Sequence, residues 1–228
     1  MAASIDHLVV AARSLQEGVN WCESTFGVAA GPGGAHPLMG THNRLLKVAT
    51  LEFPRTYVEI IAVDTHAKPT RPPGTHRWFD LDDAMLQADL ARHGPQLVHF
   101  VVQVPDVDAA VKALAAARID RGRVLEASRD TPAGRLDWQI TVRDDGQRLF
   151  YGTLPTLIQW GPVHPTDAMP DSGVTLESLT LTHPRAGDLT AAVRAIGLSE
   201  LPVFAGPPNL RAVFDTPRGA VTLDSRGI

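Results

Sequence analysis

The sequence contains almost no cysteine and no excess of positive charge, and each shortage excludes a class of protein. The single cysteine, Cys22, excludes an internal disulfide and any thiolate metal cluster. Lysines and arginines total 21 against 25 aspartates and glutamates, and the charges are spread without blocks. This balance argues against a surface for nucleic acid or for anionic membranes, so we expect the partner to be a small molecule.

Long hydrophobic runs are missing as well. No stretch approaches the length of a membrane span, and the N-terminus enters an apparent strand at Ser4 without the basic start and apolar stretch of a signal peptide. These features predict a cytoplasmic protein. The 228 residues can bury a substantial core as one large domain or two modest ones, and 19 glycines with 18 prolines indicate many turns between short strands.

One short strand pattern occurs twice. Ile5-Asp6-His7-Leu8-Val9-Val10 lies near the start, and Leu97-Val98-His99-Phe100-Val101-Val102 opens the second part of the chain. Each pattern begins a series of strand, helix and strands, and each series closes on an apolar strand with one polar residue, Glu59 in the first and Gln159 in the second. The repetition predicts two packed supersecondary units with a cleft between them.

The predicted fold class is α+β, with two βαβββ modules at residues 1–66 and 96–162. Residues 67–95 are rich in proline and polar residues and are predicted to form a connector, with a short helix over residues 81–93. A degenerate third module over residues 174–228 repeats the same order of elements.

Turn signals divide the second module. Pro132-Ala133-Gly134 and Asp144-Asp145-Gly146 separate its strands, and its closing strand is predicted from Leu149 to Trp160. In the third module Ser178 stands at the histidine position, so we expect that module to shield the sheet and to have no metal site.

At these residues the chain resembles the vicinal oxygen chelate superfamily, and within it the glyoxalase-like proteins, whose paired βαβββ modules form a curved mixed sheet around a cleft. The resemblance implies a divalent metal held by the first and last strands of each module. Carried onto this sequence, the ligand set is His7, Glu59, His99 and Gln159. Two imidazoles, a carboxylate and an amide oxygen suit Fe, Mn, Ni, Co or Zn, and the sequence leaves that choice open.

Each implied ligand also has an ordinary structural interpretation. A histidine in a strand can be satisfied by a backbone carbonyl, and Gln159 can hydrogen-bond the backbone. Glu59 stands in an apolar strand, where a buried carboxylate needs a metal or an arginine such as Arg44 to neutralise it. The paired placement of His7 and His99 favours ligation.

Substrate-binding residues are implied in two places. His42, Asn43 and Arg44 resemble a substrate-binding stretch of glyoxalase-like proteins, with Arg44 able to hold a carboxylate or phosphate, and the alternative is a turn with a surface strand. Trp138 and Trp160 either form apolar walls of the cleft or belong to the core. The histidines outside the repeated strands are predicted to be exposed: His36, His66, His76, His93, His164 and His183.

The resemblance implies a protein that binds a divalent metal and a small, anionic, oxygen-chelating substrate, and that stabilises an enolate-like or oxyanionic intermediate as a metal-dependent lyase or isomerase. Glyoxalase I relatives typically have a glutamate base where Gln159 stands, so isomerisation here would need Glu59 as the catalytic base. Two alternatives stay open: an Fe(II) ring-cleaving dioxygenase, and a metal-free binding or resistance protein. Exposed module edges also make a homodimer plausible.

Overall fold

The computed structural model describes residues 2–131 and 134–227, so Pro132 and Ala133 of the predicted turn lie outside the described residues. The helices and strands follow in the order β1 (Ser4–Ala11), α1 (Leu15–Phe26), β2 (Ala35–His36), β3 (Thr41–Lys47), β4 (Tyr57–Val63), α2 (Ala84–His93), β5 (Gln96–Gln103), α3 (Val107–Ala116), β6 (Arg123–Thr131), β7 (Gly134–Val142), β8 (Thr156–Trp160), β9 (Thr175–His183), α4 (Ala186–Ala195), β10 (Val203–Ala205), β11 (Asn209–Asp215) and β12 (Val221–Asp224). None of the helices in these ranges is long and apolar enough to cross a membrane.

An eight-stranded mixed sheet with the order β2-β3-β4-β1-β5-β8-β7-β6 curls strongly around a cleft. The opening strands of the two predicted modules, β1 and β5, are antiparallel neighbours at its centre. Each of them pairs on its outer side with a parallel strand from its own module, β1 with β4 and β5 with β8. The predicted α+β class, with a curved mixed sheet formed from two repeated units, is confirmed.

The first helix is delimited by the signals that its sequence contains. The hydroxyl of Ser14 accepts a hydrogen bond from the Glu17 amide at 3.2 Å, and Gly27 ends the helix with a left-handed φ of 78°. Cys22 and Phe26 face the sheet and are buried, together with alternate residues of the central strands. On the opposite face, Val9 and Val101 pack in a second buried cluster with residues such as Phe79, and His7 lines the cleft beside it.

A second sheet, with the order β10-β9-β11-β12, covers the helix-bearing side of the large sheet. Phe214 of β11 packs edge-on against Phe26 of α1, with ring centroids 5.0 Å apart. Leu179 and Leu181 of β9 join the same core. The third round of elements therefore closes the core on the side away from the cleft.

The closing strand of the second module is shorter than predicted. Residues Leu149–Gly152 form a 3-10 helix, and β8 begins only at Thr156. Phe150 and Tyr151 have left-handed φ angles of 52° and 53°, which no β-strand can include.

Candidate functional site in the cleft

A β-bulge places two polar side chains at the start of the site. The pairing of β1 with β5 shifts between Ile5 and His7, so Asp6 is an extra residue in β1. The Asp6 carboxylate therefore lies beside the ring of His7, and Asp6 Oδ1 is 2.6 Å from His7 Nδ1. Because a carboxylate only accepts, Nδ1 donates, and in the neutral ring Nε2 carries no proton.

Asp6 is fully buried and is held on all sides. Its Oδ2 accepts from Trp160 Nε1 at 2.8 Å and lies 3.0 Å from His164 Nε2. Burial alone would raise the pKa of Asp6, but the hydrogen bonds of His164 and His7 outweigh it and hold the pKa far below its usual range. Asp6 is therefore a fixed negative charge behind His7.

Glu59 of β4 faces His7 across the cleft floor. Its Oε1 accepts from Asn43 Nδ2 at 2.6 Å, and its Oε2 lies 3.6 Å from His7 Nε2. That gap is too long for a hydrogen bond. Both side chains are buried, so Glu59 Oε2 and His7 Nε2 face each other without forming a hydrogen bond.

Asn43 and His36 support Glu59 from the other side. Asn43 Oδ1 accepts from the Gly34 amide at 2.8 Å, and Asn43 Nδ2 lies 3.3 Å from His36 Nε2. His36 Nδ1 lies 3.0 Å from Thr41 Oγ1. Burial lowers the pKa of His36 from 6.5 to about 4, although the Glu59 carboxylate acts in the opposite direction.

His99, the counterpart of His7, has no free ring nitrogen. Nδ1 is 2.9 Å from the carbonyl oxygen of Gly152, and Nε2 is 3.0 Å from Thr156 Oγ1. The guanidinium of Arg121, also buried, hydrogen-bonds Thr156 Oγ1 and the Pro155 carbonyl. Burial is the main cause that lowers the pKa of His99 well below its ordinary value, and the charge of Arg121 adds to it.

The strand register shows which residue corresponds to Glu59. In the first half Glu59 stands opposite Val9, two residues after His7, and in the second half Thr156 stands opposite Val101, two residues after His99. Thr156 is therefore the structural equivalent of Glu59.

Gln159 lies outside the cleft. It alternates with Ile158 and Trp160, which both line the cleft, so it faces the helices on the other side of the sheet. There its Oε1 accepts from the Val107 amide at the start of α3, at 2.8 Å. This is the backbone hydrogen bond that the sequence left open as the alternative to ligation.

The four implied metal ligands consequently do not converge. His7 and Glu59 meet, whereas His99 and Gln159 are bonded elsewhere. Within residues 2–131 and 134–227, no group of three or more His, Cys, Asp or Glu side chains is arranged to hold a metal ion. The residues present therefore do not fit a four-ligand centre.

Tryptophans form much of the cleft wall. A small cavity of about 40 Å³ lies directly over His7 and Glu59, and a larger one of about 390 Å³ continues from it. Trp78 and Trp138 line both cavities, and Trp160 lines the small one. The larger volume is within the range of pockets for small molecules.

Of the predicted substrate-binding stretch, only Asn43 lies in the cleft. Residues of β3 alternate between its two faces, so His42 and Arg44 lie on the face opposite Asn43. Arg44 donates to the Asn43 carbonyl at 3.2 Å and forms no ion pair with Glu59 among the described residues. His36, His164 and His183, predicted to be exposed, are buried.

Sequence reasoning missed several residues of the cleft: Asp6, His36, Trp78, Arg129 and His164. Asp6 was hidden because strict alternation places it on the face opposite His7, and only the bulge reverses this. The segment His164-Pro165-Thr166-Asp167 did contain a signal, since it forms a capping box, with His164 Nδ1 accepting from the Thr166 amide.

Comparison with known proteins gives one family and several similar folds. A family described as "Glyoxalase-like domain" matches residues 5–197. A hypothetical protein from Staphylococcus aureus is similar over 97% of this chain and 85% of that chain, with a TM-score of 0.56 at 14% identity. At this identity the likeness shows the fold alone.

Two methylmalonyl-CoA epimerases are also similar in structure. The Streptomyces coelicolor enzyme in complex with 2-nitronate-propionyl-CoA has a TM-score of 0.44 at 18% identity and covers 72% of this chain and 99% of its own. The Mycobacterium tuberculosis enzyme has a TM-score of 0.39 at 15% identity, over 73% and 92%. A search of curated protein sequences gave no significant match.

Proposed function

Because the chain belongs to the glyoxalase-like family, as the match over residues 5–197 shows, we propose that it is an enzyme that transfers a proton on a small, anionic, oxygen-bearing substrate. The observation that carries this proposal is the pair formed by His7 Nε2 and Glu59 Oε2, 3.6 Å apart and buried at the floor of the cleft. Asp6 and Asn43 fix the other ends of the two side chains. Such fixed orientation is what a catalytic pair requires.

Glu59 Oε2 and His7 Nε2 can take complementary roles in one proton transfer. When the pair shares one proton on His7, Glu59 Oε2 is a base and the His7 Nε2–H group is a donor. The substrate C–H bond then breaks, its proton goes to Glu59, and the electron pair moves onto the adjacent carbonyl oxygen, which His7 hydrogen-bonds. Asp6 balances the positive charge that His7 carries in this state. Return of the proton to carbon completes an isomerisation or an exchange with solvent.

Members of the wider superfamily typically bind divalent metals. In this chain only two of the four implied ligands come together, and structural or catalytic transition-metal sites in proteins usually have three or four protein ligands. The proposed chemistry therefore uses His7 and Glu59 themselves and has no step through a metal.

A second candidate is a small-molecule binding protein without turnover. It is favoured by the second half of the fold. There hydrogen bonds join His99, Thr156 and Arg121, so these described side chains offer no free reactive group. The dioxygenase alternative gains no such support, because it requires two histidines and a carboxylate at one ion and His99 is bonded away from Glu59.

Solvent-proton exchange tests the proposal. Compounds of three classes, 2-oxo acids, 2-oxoaldehydes and 2-hydroxy acids, would be incubated with the protein in D₂O. NMR would then follow the loss of the proton on the carbon adjacent to a carbonyl group, which in the 2-hydroxy acids is the carbon that bears the hydroxyl. We expect exchange with at least one class, reduced about 100-fold or more in Glu59→Gln because the base is lost. Glu52→Gln removes an exposed carboxylate of a turn and is the matched control.

Equal exchange in wild type and Glu59→Gln would contradict the proposal. Tight binding of a panel compound with no exchange of any class would favour the binding protein.

A further inference from the structure

Two polar side chains of the cleft have hydrogen-bond donors without an acceptor among the described residues. Arg129 Nε, Arg129 Nη1 and Trp78 Nε1 are buried atoms of this kind, and both residues line the small cavity above His7 and Glu59. A buried donor left unsatisfied is costly, so a protein retains few of them without a reason. Here three such donors border one cavity.

The charge of Arg129 is also unpaired. Within the described ranges, no carboxylate lies within 4.0 Å of its guanidinium. The other arginine that lines the cleft, Arg135, is different: its Nε donates to Asp137 at 2.8 Å, and its Nη2 donates to Ser128. Arg129 as a whole is half-buried, but its Nε and Nη1 are buried and lack a partner among the described residues, so an anion in the small cavity would satisfy both donors and pair the charge.

The fold places Arg129 at this position from the far edge of the sheet. Arg129 lies on β6 opposite Leu136 of β7, and curling of the sheet brings this hairpin against the glycine loop that precedes β2. A Cβ atom at Gly34 would overlap the Arg129 guanidinium. The absence of a side chain at Gly34 thus allows the guanidinium to lie over the catalytic pair.

We infer that Arg129 and Trp78 form an oxyanion-binding subsite, which holds a carboxylate or phosphate group of the substrate beside His7 and Glu59. The guanidinium supplies charge and donors on two sides, and the indole supplies one more donor. The inference deepens the proposed function, since it names the substrate class of the same cleft. It replaces Arg44, which lies on the other face of β3, as the anchor.

Calorimetric titration with three related probes tests the subsite: phenylacetate, phenyl phosphate and the neutral phenylacetamide. We expect wild type to bind at least one anion about 10- to 100-fold more tightly than the amide, as is typical of a charge-assisted hydrogen bond. Arg129→Ala should remove that preference. Trp78→Phe should reduce it only a few-fold, because one neutral donor is lost and the ring is kept.

Two further variants sharpen the test. Gly34→Ala keeps the charge but displaces the guanidinium, and the Gly34 backbone angles allow alanine, so it should weaken anion binding while the fold is retained. Arg44→Ala removes a charge outside the cleft and should leave the preference unchanged. Circular dichroism would show that each variant is folded.

Preference for phenylacetate over phenyl phosphate would identify a carboxylate as the natural group, and the reverse would identify a phosphate. Wild type that binds neither anion, or an unchanged preference in Arg129→Ala, would overturn the subsite. An Arg129-dependent anion preference without any proton exchange would leave the subsite intact and refute only the proposed proton transfer.

Discussion

Replacing His36 by glutamine should make the stability of the protein less dependent on pH. His36 is buried beside Glu59 and Asn43, and burial lowers its pKa from 6.5 to about 4. Glutamine can still accept from Asn43 and donate toward Thr41, but it does not titrate. The substitution therefore removes a proton-binding group and keeps the hydrogen bonds.

The sign and size of the effect follow from linkage. Between pH 6.5 and 4 the unfolded chain binds a proton at His36 and the folded protein does not, so acid favours unfolding. At about 1.4 kcal/mol per pKa unit, this residue lowers the free energy of unfolding by at most about 3 kcal/mol. The same relation gives losses of about 1 kcal/mol at pH 5.5 and about 2 to 3 kcal/mol at pH 4.5, relative to pH 8.

Urea unfolding of both proteins at pH 8, 5.5 and 4.5 measures this difference. The contributions of Asp6 and His99 to the pH dependence are present in both proteins. Subtracting the two curves of unfolding free energy against pH therefore leaves the contribution of His36. We expect the stability of wild type relative to His36→Gln to decrease by these amounts as the pH falls. Parallel curves, with a constant difference at all three pH values, would refute the buried neutral histidine.

Three more outcomes follow from the same contacts. Asp6→Asn removes the charge from a buried group that His7 and two other donors contact, and should lower the free energy of unfolding at pH 7 by about 3 kcal/mol or more; a loss below about 1 kcal/mol in urea unfolding would contradict the network. If added Zn²⁺ contacts only His7 and Glu59, calorimetry should show weaker Zn²⁺ binding in Glu59→Gln and unchanged binding in Gln159→Ala. Equal losses of affinity in the two variants would instead support the four-ligand centre. Deletion of residues 171–228 exposes the core under the second sheet, so the product should aggregate in gel filtration; a soluble, ordered product would refute this structural role.

Much of the fold could be predicted because the local signals agree with the tertiary structure. The repeated strands around His7 and His99 became the central pair β1 and β5, and Ser14 with Gly27 delimits α1. The two central strands are apolar and buried along nearly their whole length, because one core cluster covers each face, and such β-branched runs indicate strands without tertiary information.

The candidate site was less predictable, because it depends on departures from regular strands. A bulge moves Asp6 beside His7, and left-handed residues at Phe150 and Tyr151 shorten the closing strand that contains Gln159. Arg129 comes from a hairpin whose approach to Gly34 depends on the curl of the whole sheet. None of these features follows from periodicity in the sequence.

The two halves of the large sheet share a geometry and differ in chemistry. Asp6, His7 and Glu59 on one side correspond to Val98, His99 and Thr156 on the other, by the same bulge and the same strand register. A hydroxyl in place of a carboxylate allows close contact with the imidazole, 3.0 Å against 3.6 Å, and an apolar bulge residue leaves no carboxylate behind the ring.

The second histidine is therefore used for structure. It joins β5 to the turn at Gly152 and to the first residue of β8, and Arg121 covers it. Among the described residues, the first half alone keeps a carboxylate and a ring nitrogen that are held apart, which is why the proposed proton transfer uses that half. Sequence repetition identified both histidines, but the residue opposite each of them decides whether a histidine is free to react or is bonded into the fold.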